Sequence, residues 1–341
     1  MRLKEWFAKN KFQAKTYKDL DRLVKKKKEN EETISVVIPT LNEEETVGEI
    51  IDIIQSELMG KEKNLVDEIV VVDSGSKDDT EKIVKEKGVG FYKASEILKR
   101  YNDESGKGEN LWKSLYVTKG SILVFLDGDL QNMEAKFIKT LVGPLLTHSK
   151  FKLIKSYFKR TLNETDDSDD VALGGGRVTE LLVRPLLNMY FPQLTGFIQP
   201  LSGQIAARRS LLERLTFFTG YGVDLGLMID TFKTYDLENI AQVNLGFLQH
   251  SHHTLEALSN MAFSVLQVFS ARAHMMGKLI MTDEIRKKYK IVKKTKEKDR
   301  LSYSLRGKVI VNKQRPPMIT ISAYRKKFDK SKEQLINENE K

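Results

Sequence analysis

The stretch ILVFLDGDLQN, Ile122 to Asn132, decides the fold. Its first half, Ile-Leu-Val-Phe-Leu, is a continuous apolar run of the kind that forms a strand covered on both faces. It ends on Asp127 and Asp129, with Gly128 between them. A strand that stops at two carboxylates puts acidic oxygens at the carboxyl edge of a sheet, where open α/β folds bind ligands. Such oxygens suit a hard divalent cation that keeps positions open for a diphosphate. The alternative is an Asp-Gly turn that closes a hairpin.

The flanking sequence favours a parallel sheet. Upstream, Ile34 to Ile38 is a short apolar strand broken by Pro39-Thr40-Leu41-Asn42, and Glu43 to Glu45 opens an amphipathic helix. Early acids suit the positive end of a helix dipole. Strand Ile69 to Val72 follows, then the polar turn Asp73-Ser74-Gly75-Ser76 and another helix. Gly88 to Tyr92 reads as a third strand, and the loop Gly106-Lys107-Gly108 precedes a helix through Trp112. Strand, helix, strand, helix, strand is the order of a sheet covered by helices. Further on, Phe151 to Phe158 and Val243 to Leu248 read as strands, and RVTELLVRPLLNMYF and IAARRSLLERL as helices. Lys15 to Lys28 reads as a charged helical leader. The C-terminal segment reads as a basic helix followed by two β-like runs, VIVN and MITISAY, around Pro316-Pro317. The divisions are a basic leader 1–33, an α/β portion 34–150, a second portion 151–282 and a basic arm 283–341.

At 341 residues, 30% charged and 40% hydrophobic, the chain is long enough to bury a large core. It has no cysteine, which excludes disulfides, thiolate metal sites and a Cys nucleophile and fits a cytoplasmic setting. The start, MRLKEWFAKNKFQ, lacks the apolar run of a signal peptide. The most apolar later stretch is broken by Glu256, Arg272 and His274, so no transmembrane segment is expected. The net charge of +10 is uneven: residues 1–33 carry +5 and residues 283–341 carry +11, leaving −6 for the middle. A nucleic-acid binder more typically carries basic residues with interleaved aromatics on its folded face, so none is expected; the basic ends read as solvated faces, or as segments that attract anionic substrates or touch acidic lipid or RNA.

Several polar sets can carry chemistry. Asp73 and Ser74 stand at a strand end, placed to meet a base, ribose or diphosphate; helix capping explains Ser76 to Asp79 but not Asp73. Lys107 lies in a Gly-Lys-Gly segment that lacks the full phosphate-loop spacing, so it is either a surface lysine or a phosphate contact. Gly174-Gly175-Gly176-Arg177-Val178-Thr179 puts glycines, a guanidinium and a hydroxyl at a helix start, an arrangement fit for an anion. His250, His252 and His253 follow a strand, either as an exposed turn or completing a metal site begun at Asp129.

SVVIPTLNEEETV, VVDSGSKDDT, GKGENLW and FLDGDLQN resemble the nucleotide-sugar glycosyltransferases of the GT-A fold. GGGRVTELLVRPLL, TGFIQPLSGQIAARR, GYGVDLGLMID and NLGFLQHSHH look like the retaining glucosyl-3-phosphoglycerate synthase family. The resemblance covers residues 34–275 and leaves the basic ends unexplained. It implies an α/β fold, a Rossmann-like sheet flanked by helices with an acceptor-binding C-terminal portion. It implies glucose transfer from a nucleoside diphosphate, usually UDP-glucose, to the 2-hydroxyl of 3-phosphoglycerate, with Mg²⁺ (or Mn²⁺ or Co²⁺), in a homodimer. By position, Pro39, Leu41 and Glu43 would line the uridine pocket, Ser74 and Lys107 would touch the nucleotide, and Asp127-Gly128-Asp129 would be the metal motif. Asp129 would be the direct ligand with His250 its partner, and Gly176, Arg177 and Thr179 would hold the acceptor phosphate. Asp224 stands where the family usually has Glu, and Ser251-His252 where it usually has Arg-Asn, so His252 takes an acceptor-contact position. The catalytic set is Asp224, Asp127 and Lys107. Mannosyl transfer to the same acceptor, another acceptor, or a non-catalytic nucleotide-sugar or RNA-associated protein are the competing readings.

Overall fold

The computed structural model describes residues 2–61, 63–102, 104, 106–160, 176–249, 254–297 and 300–329. Its strands are β1 (Lys11–Gln13), β2 (Ile34–Thr40), β3 (Glu68–Asp73), β4 (Gly90–Lys93), β5 (Ile122–Phe125), β6 (Leu153–Arg160), β7 (Ile205–Arg208), β8 (Phe217–Phe218), β9 (Ile240–Leu248), β10 (Lys288–Glu297), β11 (Arg300–Val309) and β12 (Gln314–Arg315). Its helices are α1 (Leu3–Lys9), α2 (Leu20–Glu29), α3 (Val47–Leu58), α4 (Thr80–Glu86), α5 (Lys107–Val117), α6 (Ala135–Thr147), α7 (Arg184–Tyr190), α8 (Arg209–Leu212), α9 (Val223–Tyr235), α10 (Leu255–Met275) and α11 (Ser322–Lys327). A π-helical stretch, Thr179–Val183, precedes α7. No described helix is long and apolar enough to cross a membrane.

Eight strands form one sheet in the order β1-β9-β6-β7-β5-β2-β3-β4. β2 runs parallel to both β3 and β5, and β3 parallel to β4. Only β7 runs against its neighbours, β5 and β6. The run Ile122–Phe125 is therefore a central strand, and its partners are β2 and β7. That rules out a hairpin at the Asp-Gly-Asp turn. The pleat divides the apolar residues between two cores. Ile34, Val36, Ile38, Ile122 and Val124 face α3 and α6, whereas Val37, Leu123 and Phe125 face α5, α9 and α10. All eight are 0% exposed, so neither face of these strands meets water.

Both basic ends are built into this body. Trp6 of α1 is 0% exposed, donates from its indole to the Ile240 carbonyl at 2.9 Å, and packs on Phe197 with ring centres 4.7 Å apart. β1 then adds to the sheet beside β9. At the other end, β12 pairs with β8, and Arg315 forms a bidentate pair with Glu109 of α5, both contacts at 2.7 Å. Glu109 and Lys113, 3.0 Å apart, have fully buried side chains. Trp112 donates to the Pro316 carbonyl at 2.8 Å.

Four local expectations need correction. IAARRSLLERL is not one helix: Ile205–Arg208 is β7 and only Arg209–Leu212 is helical. Its apolar start fills a sheet position between two strands, and that tertiary demand overrides helix propensity. No basic helix precedes VIVN among the described residues of the C-terminal segment; Lys288–Val309 supplies an antiparallel pair whose Tyr289 ring lies 4.9 Å from Phe263 of α10. MITISAY is a 3-10 turn and the start of α11, with Tyr324 0% exposed and donating to Glu213 at 2.7 Å. VIVN does not pair as a strand beyond Val309.

The Glu109–Arg315 pair generates the first prediction. Arg315→Met removes one partner of a buried charge, so stability should fall by about 3–5 kcal/mol in urea unfolding. A loss below about 1 kcal/mol would show that the pair does not anchor the C-terminal segment.

Candidate active site

The carboxyl ends of β2, β3 and β5 open into a cleft of about 280 Å³. Pro39, Leu41, Glu43, Ser74, Lys107, Asp127, Gly128, Asp129 and Asp224, all expected site residues, line it. Asn110, Gly203, Gln204, Tyr221 and, from α10, Leu258, Met261 and Val265 complete the wall.

Its centre is Lys107. The residue does not sit in a flexible loop; it is the first residue of α5, and its ammonium lies 2.6 Å from Asp127 Oδ1 and 3.2 Å from Asp224 Oδ2. Burial alone would pull its pKa down, but the two carboxylates hold it well above the ordinary lysine value. Asp127 is engaged on its other oxygen by Gln204 Nε2 at 2.7 Å. Asp224 starts α9, and its Oδ1 is buried with no hydrogen-bond donor among the described residues. Burial raises its pKa, opposed by Lys107 and Lys155.

The glycines around this group are required by close approach. A Cβ on Gly203 would lie 2.0 Å from Lys107 Nζ, and one on Gly108 would lie 1.8 Å from the Phe218 carbonyl oxygen. Gly106 takes φ +133° and would press its Cβ to 2.6 Å from the Thr219 oxygen.

Asp73 departs from its expected role. It is 2% exposed and does not line the cleft. Its oxygens accept from Thr40 Oγ1 at 2.9 Å and from the Gly75 and Ser76 amides at 2.8 Å. It shapes the turn that presents Ser74, whose hydroxyl donates to Asn110 at 3.0 Å. Asn110 in turn donates to the Val72 carbonyl at 2.8 Å.

The acceptor residues fall elsewhere. Gly176, Arg177 and Thr179 stand at the start of the helical run through Thr179–Val183, with Arg177 exposed and Thr179 buried; none lines the cleft. Gly174, Gly175, His250 and His252 lie outside the described residues. The end of β9 does meet the segment after the Asp-Gly-Asp turn: the Gln131 amide donates to the Gln249 carbonyl at 3.0 Å, and the Gln249 amide to Asn132 at 2.8 Å. The sequence reading missed Gln204 and Gly203, although both lie in the quoted TGFIQPLSGQIAARR. A glycine and a polar residue directly before an apolar strand were the signal.

The acids suit a cation. Burial first, then the charges of Asp129 and Asp127, raise Glu43 to about 7. No set of three metal-type side chains converges among the described residues. One or two carboxylates joined by substrate phosphates is nevertheless the usual donor set for Mg²⁺. Asp127 is held by Lys107 and Gln204, and Asp129 lines the same cleft. A carboxyl whose folded pKa lies above its unfolded value favours the folded state at low pH and loses that contribution as pH rises. The metal-free protein should therefore lose stability between pH 4.5 and about 7, and Glu43→Gln should flatten that slope in urea unfolding across pH. An unchanged slope would exclude Glu43 as its source.

Comparison with known proteins agrees with this geometry. Residues 35–172 match the model of glycosyl transferase family 2. A glucosyl-3-phosphoglycerate synthase of Petrotoga mobilis is 42% identical over 96% of this chain and 99% of its own. The solved mannosyl-3-phosphoglycerate synthase of Rubrobacter xylanophilus superposes with TM-score 0.82 at 32% identity, covering 93% of this chain and 97% of that one. The glucosyl-3-phosphoglycerate synthase of Mycobacterium tuberculosis, solved with Mn²⁺, UDP and glucosyl-3-phosphoglycerate, gives 0.74 at 38%, covering 89% and 95%. The Petrotoga match takes in nearly all of both basic ends, which the sequence resemblance had left out. A strand-end acid pair, a clamped lysine and near full-length identity converge on one assignment: the chain belongs to the glucosyl-3-phosphoglycerate synthase family.

Proposed function

We propose that this protein transfers glucose from UDP-glucose to the 2-hydroxyl of 3-phosphoglycerate, with retention at the anomeric carbon. The observation that carries the reading is the cleft at the carboxyl edge of β2, β3 and β5, where Lys107 and the Asp127-Gly128-Asp129 turn meet. UDP and glucosyl-3-phosphoglycerate, the two products of such a transfer, occupy the Mycobacterium relative. Glucose is favoured over mannose because the Petrotoga relative shares 42% identity across the chain, against 32% for the mannosyl enzyme.

Pro39 and Leu41 line the nucleotide end of the cleft, and Ser74 stands at the end of β3 with its hydroxyl oriented by Asn110. Asp129 and, by family position, His250 would hold Mg²⁺ or Mn²⁺. A bound divalent ion would neutralise charge on the diphosphate. Lys107 supplies a fixed cation beside the leaving group, held by Asp127 and Asp224 without reorganisation during the reaction. Asp224 Oδ1 accepts from a sugar hydroxyl and gains the partner that it lacks among the described residues. The bond from the anomeric carbon to the diphosphate oxygen breaks, and the acceptor oxygen bonds on the same face. The acceptor proton passes to the departing phosphate oxygen. Arg177 meets the acceptor phosphate, for which a planar guanidinium is the right group, and Gly176, Thr179 and His252 complete that pocket. The protein works in the cytoplasm as a homodimer.

A matrix of UDP-, GDP- and ADP-hexoses against 3-phosphoglycerate, with and without Mg²⁺, tests the reading. Transfer should be greatest with UDP-glucose and lost on chelation; no transfer from any donor would defeat it. Arg177→Ala should raise KM for the acceptor roughly tenfold or more and leave donor KM near its original value. Equal losses for both substrates would remove Arg177 from the acceptor pocket.

A further inference from the structure

Beneath the cleft lies a second cation that the mechanism above does not use. Lys155 of β6 is 1% exposed. It sits two residues beyond Leu153, which packs in the same core as Leu123 and Phe125, so the pleat turns it toward the face covered by α5 and α9. Its one hydrogen bond among the described residues, 2.7 Å long, runs to the Ser202 carbonyl. That carbonyl belongs to the turn that carries Gly203 and Gln204 into the cleft. Ser156, the next residue on β6, bonds Ser202 through their hydroxyls, and Gln204 reaches Asp127 at 2.7 Å.

Two features of this floor are costly alone. An ammonium with a single carbonyl acceptor has lost most of its hydration. The Oδ1 of Asp224 is a buried carboxylate oxygen without a donor among the described residues. They lie within electrostatic reach of each other, and the formal charges of Lys107 and Lys155 match those of Asp127 and Asp224. We propose that Lys155 is a positioning residue, a buried cation that fixes the Ser202–Gln204 floor of the cleft and balances the charge of Asp224. This rests on the transferase reading for its catalytic consequence, though not for the electrostatic pairing itself.

The charged groups acting on Asp224 are Lys107 from α5, Lys155 from β6 and Asp127 from the turn after β5. Removing Lys155 leaves Lys107 to serve both carboxylates, and Asp224 then ionises only at higher pH. Lys155 itself is pulled down to about 8, chiefly by burial and further by Lys107, with Asp224 and Asp127 acting against this.

The test compares wild type, Lys155→Gln, Lys155→Arg, Asp224→Asn and the Gln/Asn double variant, each as the full chain. Lys155→Gln keeps a donor for the Ser202 carbonyl and removes the charge. It should lower kcat about tenfold or more and move the acid limb of the kcat profile up by about half a pH unit or more. Lys155→Arg should return the limb toward its original place. In urea unfolding at neutral pH, Lys155→Gln should lower the midpoint more when Asp224 is present than when Asn replaces it. An unmoved acid limb together with additive midpoints would overturn the proposal. Coupled midpoints in a chain whose wild type transfers no sugar would instead overturn the transferase reading and leave the pairing intact.

Discussion

The site is organised around the ion pairs of Lys107. One ammonium at the start of α5 is gripped by Asp127, after β5, and Asp224, at the start of α9. Those anchors come from positions 107, 127 and 224, so the pair closes only if three separate connections arrive together. Gly106, Gly108 and Gly203 are what such crowding requires, because a methyl at each would strike a backbone oxygen or the lysine itself. The pair also sorts the two acids of the Asp-Gly-Asp turn. Asp127 holds the lysine, while Asp129 acts with Asp127 on Glu43 across the cleft.

Charge balance follows the same division. Lys107 and Lys155 offset Asp127 and Asp224 in the interior, so the excess of negative charge is left at the mouth, on Glu43 and Asp129. A cation bound there meets carboxylates that repel one another, which favours binding. A diphosphate arriving with that cation finds Lys107 already placed. The negative sign of residues 34–282 and the positive sign of the ends therefore say little about partners. The relevant field is local, set within a few ångströms of the β5 edge.

Much of this was legible from sequence where a single local rule decides. Continuous apolar runs identified β2, β3 and β5, because burial on both faces leaves no alternation to misread, and the acids that end β5 do line the cleft. Asp73 shows where such reasoning stops: an acid at a strand end looks the same whether it faces a ligand or, as here, accepts from the amides of its own turn. Ile205–Arg208 shows another limit. Its residues suit a helix, and only the gap between β5 and β6 makes them a strand. Gln204 was hidden because its role depends on Asp127, far away in the chain.

The C-terminal segment carries the same lesson into the site itself. Its basic composition reads as a solvated arm, yet Arg315 lies 2% exposed against Glu109, two residues beyond Lys107 on α5. Arg315 also donates to the Tyr101 carbonyl at 2.6 Å, at the entrance to the segment leading to Gly106. The Lys313 amide donates to Thr219 at 3.1 Å, on the approach to Tyr221 and Asp224. One short stretch thus braces both helices whose first turns carry the central ion pair. A chain ending before it would leave Glu109 buried beside Lys113 alone and the starts of α5 and α9 without a common support. Lys107 is gripped by two carboxylates, and the helix that it opens is braced by a residue more than two hundred positions later in the chain.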